Sequence, residues 1–470
     1  IAAAKRWTLF SADIGQAFLR GLTFEEINET EGEIQREIQM TVPPGSVPVL
    51  RQLPGYETFD PTVEVLRMLR GGFGLKDAPR LWQKRLHAVL TELGGKCLST
   101  DNKLYVFYDK DQLVLILSTH VDDIKGAGED EERDRLLWGL EREFGTLKKQ
   151  FGSFECIGVM HEQDPESKEI WTHQHHYVEQ LRTITEDQYA AAKDDDGVTV
   201  DTHAAYRSLL GGIAWLTQTM MPICIYVSAL QRQGHDPRVK DVKNLNRLLR
   251  WIRTHKSALG IRYVHLPLPW RLICISDSAF KAQEYDGLAM RGCIIMLAHT
   301  DGSMRKNVPV KCICLDWFSR KHTHVVRSTF AAELYSHLDA VGQAMLINVT
   351  LHEIRYGAQP AATLARKQES GELWPELDAC IDARAVFDGI TADPVKMPTE
   401  KNLYIHLLSA KDLLLKKIVK RLMWIDTEDM LPDGMTKGII DRGPLLRIGH
   451  ECVWQLSGDQ PRYYPPTEKA

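Results

Sequence analysis

The stretch L-V-L-I-L-S-T-H-V-D-D, Leu113 to Asp123, decides the fold: an aliphatic, β-rich run that closes on two adjacent aspartates. It is far shorter than the about 18 apolar residues that a membrane span needs, and it reads as a buried strand with acids at its end. A second strand-like run, Trp7 to Ala12, closes the same way on Asp13. Carboxylates gathered at strand ends can hold two magnesium ions about 4 Å apart, stabilising the attacking and leaving oxygens of phosphoryl transfer. An adjacent Asp pair taken alone more often caps or solvates a turn, so the rest of the chain has to carry the reading.

Outward from that run, an acidic, helix-prone stretch spans Glu129 to Phe144, and a polar, Asp-rich linker spans Thr183 to Asp201. Two helical stretches follow, Tyr206 to Leu230 and Pro237 to Thr254. Pro267 and Pro269 then mark a boundary. Beyond it come strand-like runs at Leu272 to Ser276, Gly292 to His299 and Val308 to Trp317. Leu334, Leu338, Val341, Met345 and Val349, at steps of three and four, write a long helix. A further strand, Leu377 to Ile381, precedes more helix, and Gly357 to Pro375 reads as a surface insertion. Strands, a helix, a strand and helices make an α/β domain with a mixed sheet.

At 470 residues the chain has room for several cores, and 44% hydrophobic with 26% charged residues is an ordinary globular composition. The opening at Ile1, without Met or an apolar leader, is expected of a fragment or processed product. Nine cysteines without a C-x-x-C pair argue against a zinc or disulfide framework and fit a reduced, intracellular setting. A net charge of −5 is no advertisement for nucleic-acid binding. Its distribution is more telling: Gln231 to Lys256 carries eight Lys or Arg against two Asp on a helical pattern that could lie along phosphates. His173, His175 and His176 suggest a metal site but lack partner ligands, and solvent-facing strand-end residues are the plainer reading.

The string D-I-G-Q-A-F-L-R-G, Asp13 to Gly21, resembles the first palm motif of copia-type reverse transcriptases. V-P-P-G at Val42 to Gly45, F-G-L-K-D-A-P-R-L-W at Phe73 to Trp82 and H-V-D-D at His120 to Asp123 follow in that family's order and at about its spacing. C-I-G-V at Cys156 to Val159, Y-R-S-L-L-G-G at Tyr206 to Gly212 and the basic helix resemble its thumb and connection region. The resemblance implies Asp13, Asp122 and Asp123 as polymerase magnesium ligands. It also implies Gln16, Ala17 and Phe18 around the incoming nucleotide, Phe18 as a gate against a 2′-hydroxyl, and Lys76 and Arg80 toward phosphates. His120 stands where the family has Tyr, and Asp77 where it has Gln. The basic fingers that should precede Asp13 are expected to be missing, which weakens the triphosphate clamp and puts polymerase activity in doubt.

A second acidic series follows: C-I-S-D-S at Cys274 to Ser278, R-S-T-F-A-A-E-L at Arg327 to Leu334, C-I-D at Cys380 to Asp382, and T-E-D-M-L-P-D-G-M-T-K at Thr427 to Lys437. Each acid alone would be a cap or a surface group. In this order Asp277, Glu333, Asp382 and Asp433 resemble the D-E-D-D site of ribonuclease H, and W-F-S-R-K at Trp317 to Lys321 matches the copia-type version. Asp426 and Asp429 are rival positions for the late acid, and His406 is the nearest candidate for a general acid.

The resemblance therefore implies an α/β chain: a reverse-transcriptase palm without fingers at 1–126, a helical thumb and connection at 127–266, and a ribonuclease H-like mixed-sheet domain at 267–470. It implies RNA-directed DNA synthesis and hybrid cleavage with two Mg2+, or Mn2+, per site. The implied partners are RNA/DNA hybrid, primer-template and deoxynucleoside triphosphates, with no membrane, in the cytoplasm (as a virus-like particle) or the nucleus. The alternative is a catalytically decayed, nucleic-acid-binding remnant.

Overall fold

The computed structural model describes residues 1–32, 36–189, 191–280, 289–323, 325–459 and 461–464. They form a mixed α/β structure with several sheets, in two compact units: residues 10–97 with 102–150, and residues 1–9 with 98–101 and 151–470.

In the first unit the decisive run is a strand, Gln112–His120. It pairs antiparallel with Leu104–Asp109 on one side and Asp123–Gly128 on the other, and Thr8–Asp13 lies next in the same sheet. Helices Ala78–Glu92 and Asp130–Phe144 cover it. Trp82, Leu86, Val89 and Leu90 recur at helical spacing and pack with Leu136, Leu140, Phe144, Phe10, Leu115 and Leu117. Trp82 also donates its indole N–H to the Val121 carbonyl, so the helix that opens in F-G-L-K-D-A-P-R-L-W fixes the turn carrying Asp122.

The second unit holds a four-stranded antiparallel sheet (Phe154–Cys156, Val159–Gln163, Ile170–His173, Ile261–Tyr263), a helical cluster and a seven-stranded mixed sheet. The Tyr206 to Leu230 stretch is two helices, Val200–Leu216 and Cys224–Gln231, joined through a short 3-10 turn, Met221–Ile223, where Pro222 lacks the N–H that would continue a helical ladder. In the large sheet, Trp270–Ala279 is central. It is antiparallel to Met290–His299, which pairs with Pro309–Lys321, and parallel to Glu376–Ile381, which pairs with Val419–Trp424.

Alternation along that central strand sends Leu272 and Cys274 into one core and Ile273 and Ile275 into another. A sheet covered on both faces explains why its strands read as unbroken apolar runs. The long helix Thr329–Tyr356, capped by the Ser328 hydroxyl on the Ala331 N–H, contributes Leu334, Val341 and Ala344 to the first core. The 357–375 segment holds a helix, Ala361–Glu369, whose Leu364 packs with Val349 and Leu373. Strand Val419–Trp424 escaped the sequence reading because Lys420 and Arg421 interrupt its apolar pattern. Among the described residues no helix is long and apolar enough to cross a membrane, and eight of the nine cysteines are buried.

Candidate metal centre

The central strand continues past its apolar stretch to Asp277, on the face shared with Ile273 and Ile275. Glu333 lies in the second turn of the long helix, and Asp382 follows the parallel strand Glu376–Ile381. The ligand oxygens of these three carboxylates lie within 4.8 Å of one another. Asp277 is 1% and Glu333 8% exposed, so three like charges converge where water is scarce.

Such crowding raises the proton affinity of each acid. Burial, with Asp277 and Asp382 adding like charge, pushes the Glu333 carboxyl up to about 10. Burial raises Asp277 as well, with Asp433 and Asp382 reinforcing it against the neighbouring Lys437. Asp382 is raised by burial and by Asp433. Hard oxygen donors, held together at an electrostatic cost that only a cation relieves, suit a small divalent ion.

Neighbouring groups fix Asp277 and Asp382. Thr436 donates its hydroxyl to Asp277, Ser336 donates to the Asp277 carbonyl at 2.8 Å, and Thr427 donates to Asp382 at 2.9 Å. Asp433 is buried at the start of the short helix Asp433–Thr436. The rival acids are committed elsewhere: Asp426 accepts from the Glu428 N–H at 3.1 Å, and Asp429 accepts from Ser457 and Gly458. Gly292, directly opposite Asp277, admits the segment carrying Asp433: a Cβ there would stand 2.7 Å from the Met435 Cβ. Ser319, from W-F-S-R-K, anchors the same segment by donating to the Met435 carbonyl at 2.6 Å.

Lys437 is the functional residue that sequence reasoning passed over, although the M-T-K motif contains it. Its ammonium pairs with Asp433 and stands 3.9 Å from Asp277. Burial works against this charge, but Asp277, Asp433 and Asp382 outweigh burial and hold its pKa above the ordinary value. It is the built-in counter-ion of the cluster. Lys437→Met should therefore lower the melting temperature in EDTA by about 2–4 °C and enlarge the rise on adding Mg2+. Melting in EDTA indistinguishable from the parent would refute that role.

The other acidic series is arranged differently. Asp13 ends its strand, Asp123 opens another, and Asp122 sits on the turn from Gln112–His120 into that second strand, where Val121 has φ 57°. The Ile14 N–H donates to the Asp122 carbonyl at 3.1 Å. Burial, then Asp122 and Asp13, raise Asp123, while His120 opposes them. Lys148 lies 3.4 Å from Asp13, and among the described residues these three acids do not reach the 4.8 Å mutual spacing of the other group. Gln16 is exposed at φ 60°, Ala17 is buried, and Phe18 packs edge-on against Phe73 with centroids 5.5 Å apart. Lys76 is exposed and Arg80 stands 3.5 Å from Glu31. Asp77 pairs with Arg36, which offsets its charge.

His406 packs edge-on against Tyr335, two residues beyond Glu333, with no contact to Asp433 among the described residues. His173 and His176 face Glu162 and Glu155 at 3.2 and 3.4 Å, and the His175 Nε2 bonds the Leu259 carbonyl at 2.8 Å.

No protein-family model matches the chain. Similar proteins include the Retrovirus-related Pol polyprotein from transposon RE1 of Arabidopsis thaliana, 22% identical over 449 residues, or 93% of this chain. The corresponding polyprotein from transposon RE2 of the same plant is 22% identical over 465 residues, or 96% of this chain. The chain spans 27% and 28% of the lengths of these two relatives. Over nearly its whole length the chain is thus similar to Retrovirus-related Pol polyproteins of plant transposons, in agreement with the resemblance that its ordered motifs carry.

Proposed function

We propose that the chain is the reverse transcriptase and ribonuclease H portion of such a polyprotein, and that Asp277, Glu333, Asp382 and Asp433 cut the RNA strand of RNA/DNA hybrids. In this reading residues 1–126 are a palm, 127–266 the thumb and connection, and 267–470 the ribonuclease H-like domain. The observation that carries it is the convergence of Asp277, Glu333 and Asp382, from two adjacent parallel strands and the long helix, to within 4.8 Å.

When bound, two Mg2+ or Mn2+ ions supply the charge that stabilises the attacking and leaving oxygens of a phosphodiester. Asp277, Glu333 and Asp382 would hold them, with Asp433 at the margin. Thr436 and Thr427 keep Asp277 and Asp382 in position, and Lys437 holds the cluster's counter-charge, a pairing that bound cations would replace. Hybrid is read by its shape, phosphates and 2′-hydroxyls rather than by base sequence. Asp13, Asp122 and Asp123, with Gln16, Ala17, Phe18, Lys76 and Arg80, form the corresponding polymerase site for a primer-template and deoxynucleoside triphosphates.

The test is incubation of the chain with end-labelled RNA/DNA hybrid. Cleavage of the hybrid's RNA in Mg2+ or Mn2+, abolished by EDTA, with single-stranded RNA left intact, is the expected result. No cleavage with either metal overturns the proposal. The second reading, a remnant that binds without cutting, draws on the Lys437 ion pairs that already occupy the centre. It predicts hybrid retention without cleavage in the same assay.

A further inference from the structure

The basic helix Val239–His255 is less uniformly basic than its sequence. Lys240 and Lys243 are paired with Asp195 and Asp194 of the acidic linker at 2.7 Å each, Lys256 with Glu179, and Arg253 donates to the Leu181 carbonyl. Arg247 is exposed and has no carboxylate partner among the described residues; its only hydrogen bond there is to Asn244, at 3.2 Å.

Arg247 lines a cavity of about 410 Å³ with Tyr226, Asn244, Leu248, Trp251 and Arg442. Arg442 is buried, and neutral acceptors alone meet its guanidinium: the Tyr226 hydroxyl at 3.0 and 3.1 Å, the Lys437 carbonyl at 2.9 Å and the Gly434 carbonyl. Tyr226 is held rigid as well, donating to the Gly438 carbonyl at 2.7 Å. Trp251 stacks on His255 with centroids 4.4 Å apart and is one of the residues that line the cavity. The cavity therefore offers aromatic side chains beside two guanidinium groups that no carboxylate neutralises among the described residues. That combination attracts a phosphate and stacks a base without reading its identity.

We propose that this cavity binds one unpaired nucleotide of a single-stranded nucleic acid, its base against Trp251 and its phosphate on Arg247. Tyr226 and Arg442 of the cavity wall bond the Gly438, Gly434 and Lys437 carbonyls, in the segment that follows Asp433, so the strand would emerge toward the metal centre. The inference rests on the proposed function only for the supply of that strand. A cavity of this size lies within the range of ordinary small-ligand pockets and suits one nucleotide rather than a duplex.

The test measures anisotropy of a labelled oligouridylate RNA, and of an abasic strand of equal length, on the full chain in EDTA. Trp251→Ala should weaken oligouridylate binding about 5- to 150-fold, with Trp251→Phe retaining most of it and the abasic strand unaffected by either. Arg247→Ala should weaken both strands and reduce the salt slope by about one phosphate contact. Unchanged oligouridylate binding by Trp251→Ala, or an equal loss on the abasic strand, overturns the pocket. Because EDTA suppresses cleavage, a failure of the nuclease assay leaves this result standing, and the reverse also holds.

Discussion

Glu333→Gln is expected to lower hybrid cleavage by about two to four orders of magnitude while making the metal-free fold more stable at alkaline pH. The two effects have one origin. Glu333 is buried beside Asp277 and Asp382, and its folded pKa stands near 10 against 4.5 for the free group. Between those values the folded carboxyl keeps a proton that the unfolded chain has released, so unfolding releases a proton and stability falls as pH rises. The amide removes that loss. At about pH 8 in EDTA the variant should exceed the parent by on the order of 1–3 kcal/mol, and near pH 4 the two should converge. Mg2+ should reverse the ranking, since it stabilises the parent by binding its ionised cluster and has less to bind in the variant. Melting curves at the two pH values, with and without Mg2+, decide the matter. A Glu333→Gln variant less stable than the parent in EDTA at alkaline pH would show that burial is not what raises this carboxyl.

The acids of this centre were legible in the sequence because each sits where local pattern ends. Asp277 and Asp382 close apolar strand runs, and Glu333 opens a long helical repeat. The choice of Asp433 over Asp426 and Asp429 came from the motif around it, and the structure gives those two other tasks in Asp426's turn cap and Asp429's loop bonds. What could not be read were partnerships set by distant register. Gly292 matters because it faces Asp277 across two antiparallel strands and under Met435, a relation fixed only once three segments are assembled. Lys437 was visible as part of a motif, but its role as counter-ion depends on the same assembly. The four-stranded sheet was illegible for another reason. Its strands are only three to five residues long, and Ile261–Tyr263 pairs with Ile170–His173 from far along the chain, so no local periodicity marks it. The basic helix shows the opposite failure: its pattern was plain, yet Asp194 and Asp195 of the linker neutralise part of it.

The same large sheet contains the position where one substitution should cost most stability. Arg271 and Asp378 face each other from adjacent parallel strands, with side chains 7% and 1% exposed. The guanidinium forks onto both carboxylate oxygens, Nη2 to Oδ1 at 2.8 Å, and also reaches Glu376. Burial outweighs Arg271 and leaves the Asp378 carboxyl above its ordinary range, so the pair is held in position by the fold as much as it holds the fold. Removing one partner leaves a buried charge without compensation, and Asp378→Ala should cost about 3–5 kcal/mol. The low end is expected, because Glu376 is half-exposed and can still meet Arg271. Replacing both partners by apolar groups removes the orphaned charge as well as the bond. Arg271→Met with Asp378→Leu should therefore recover most of the loss, a coupling that a double-mutant cycle in urea measures directly. Additive losses would mean that the pair contributes through packing alone. A double variant as stable as the parent would mean that the strand register beside Asp277 is set by the apolar alternation of Leu272 to Ile275, with the ion pair contributing specificity rather than strength.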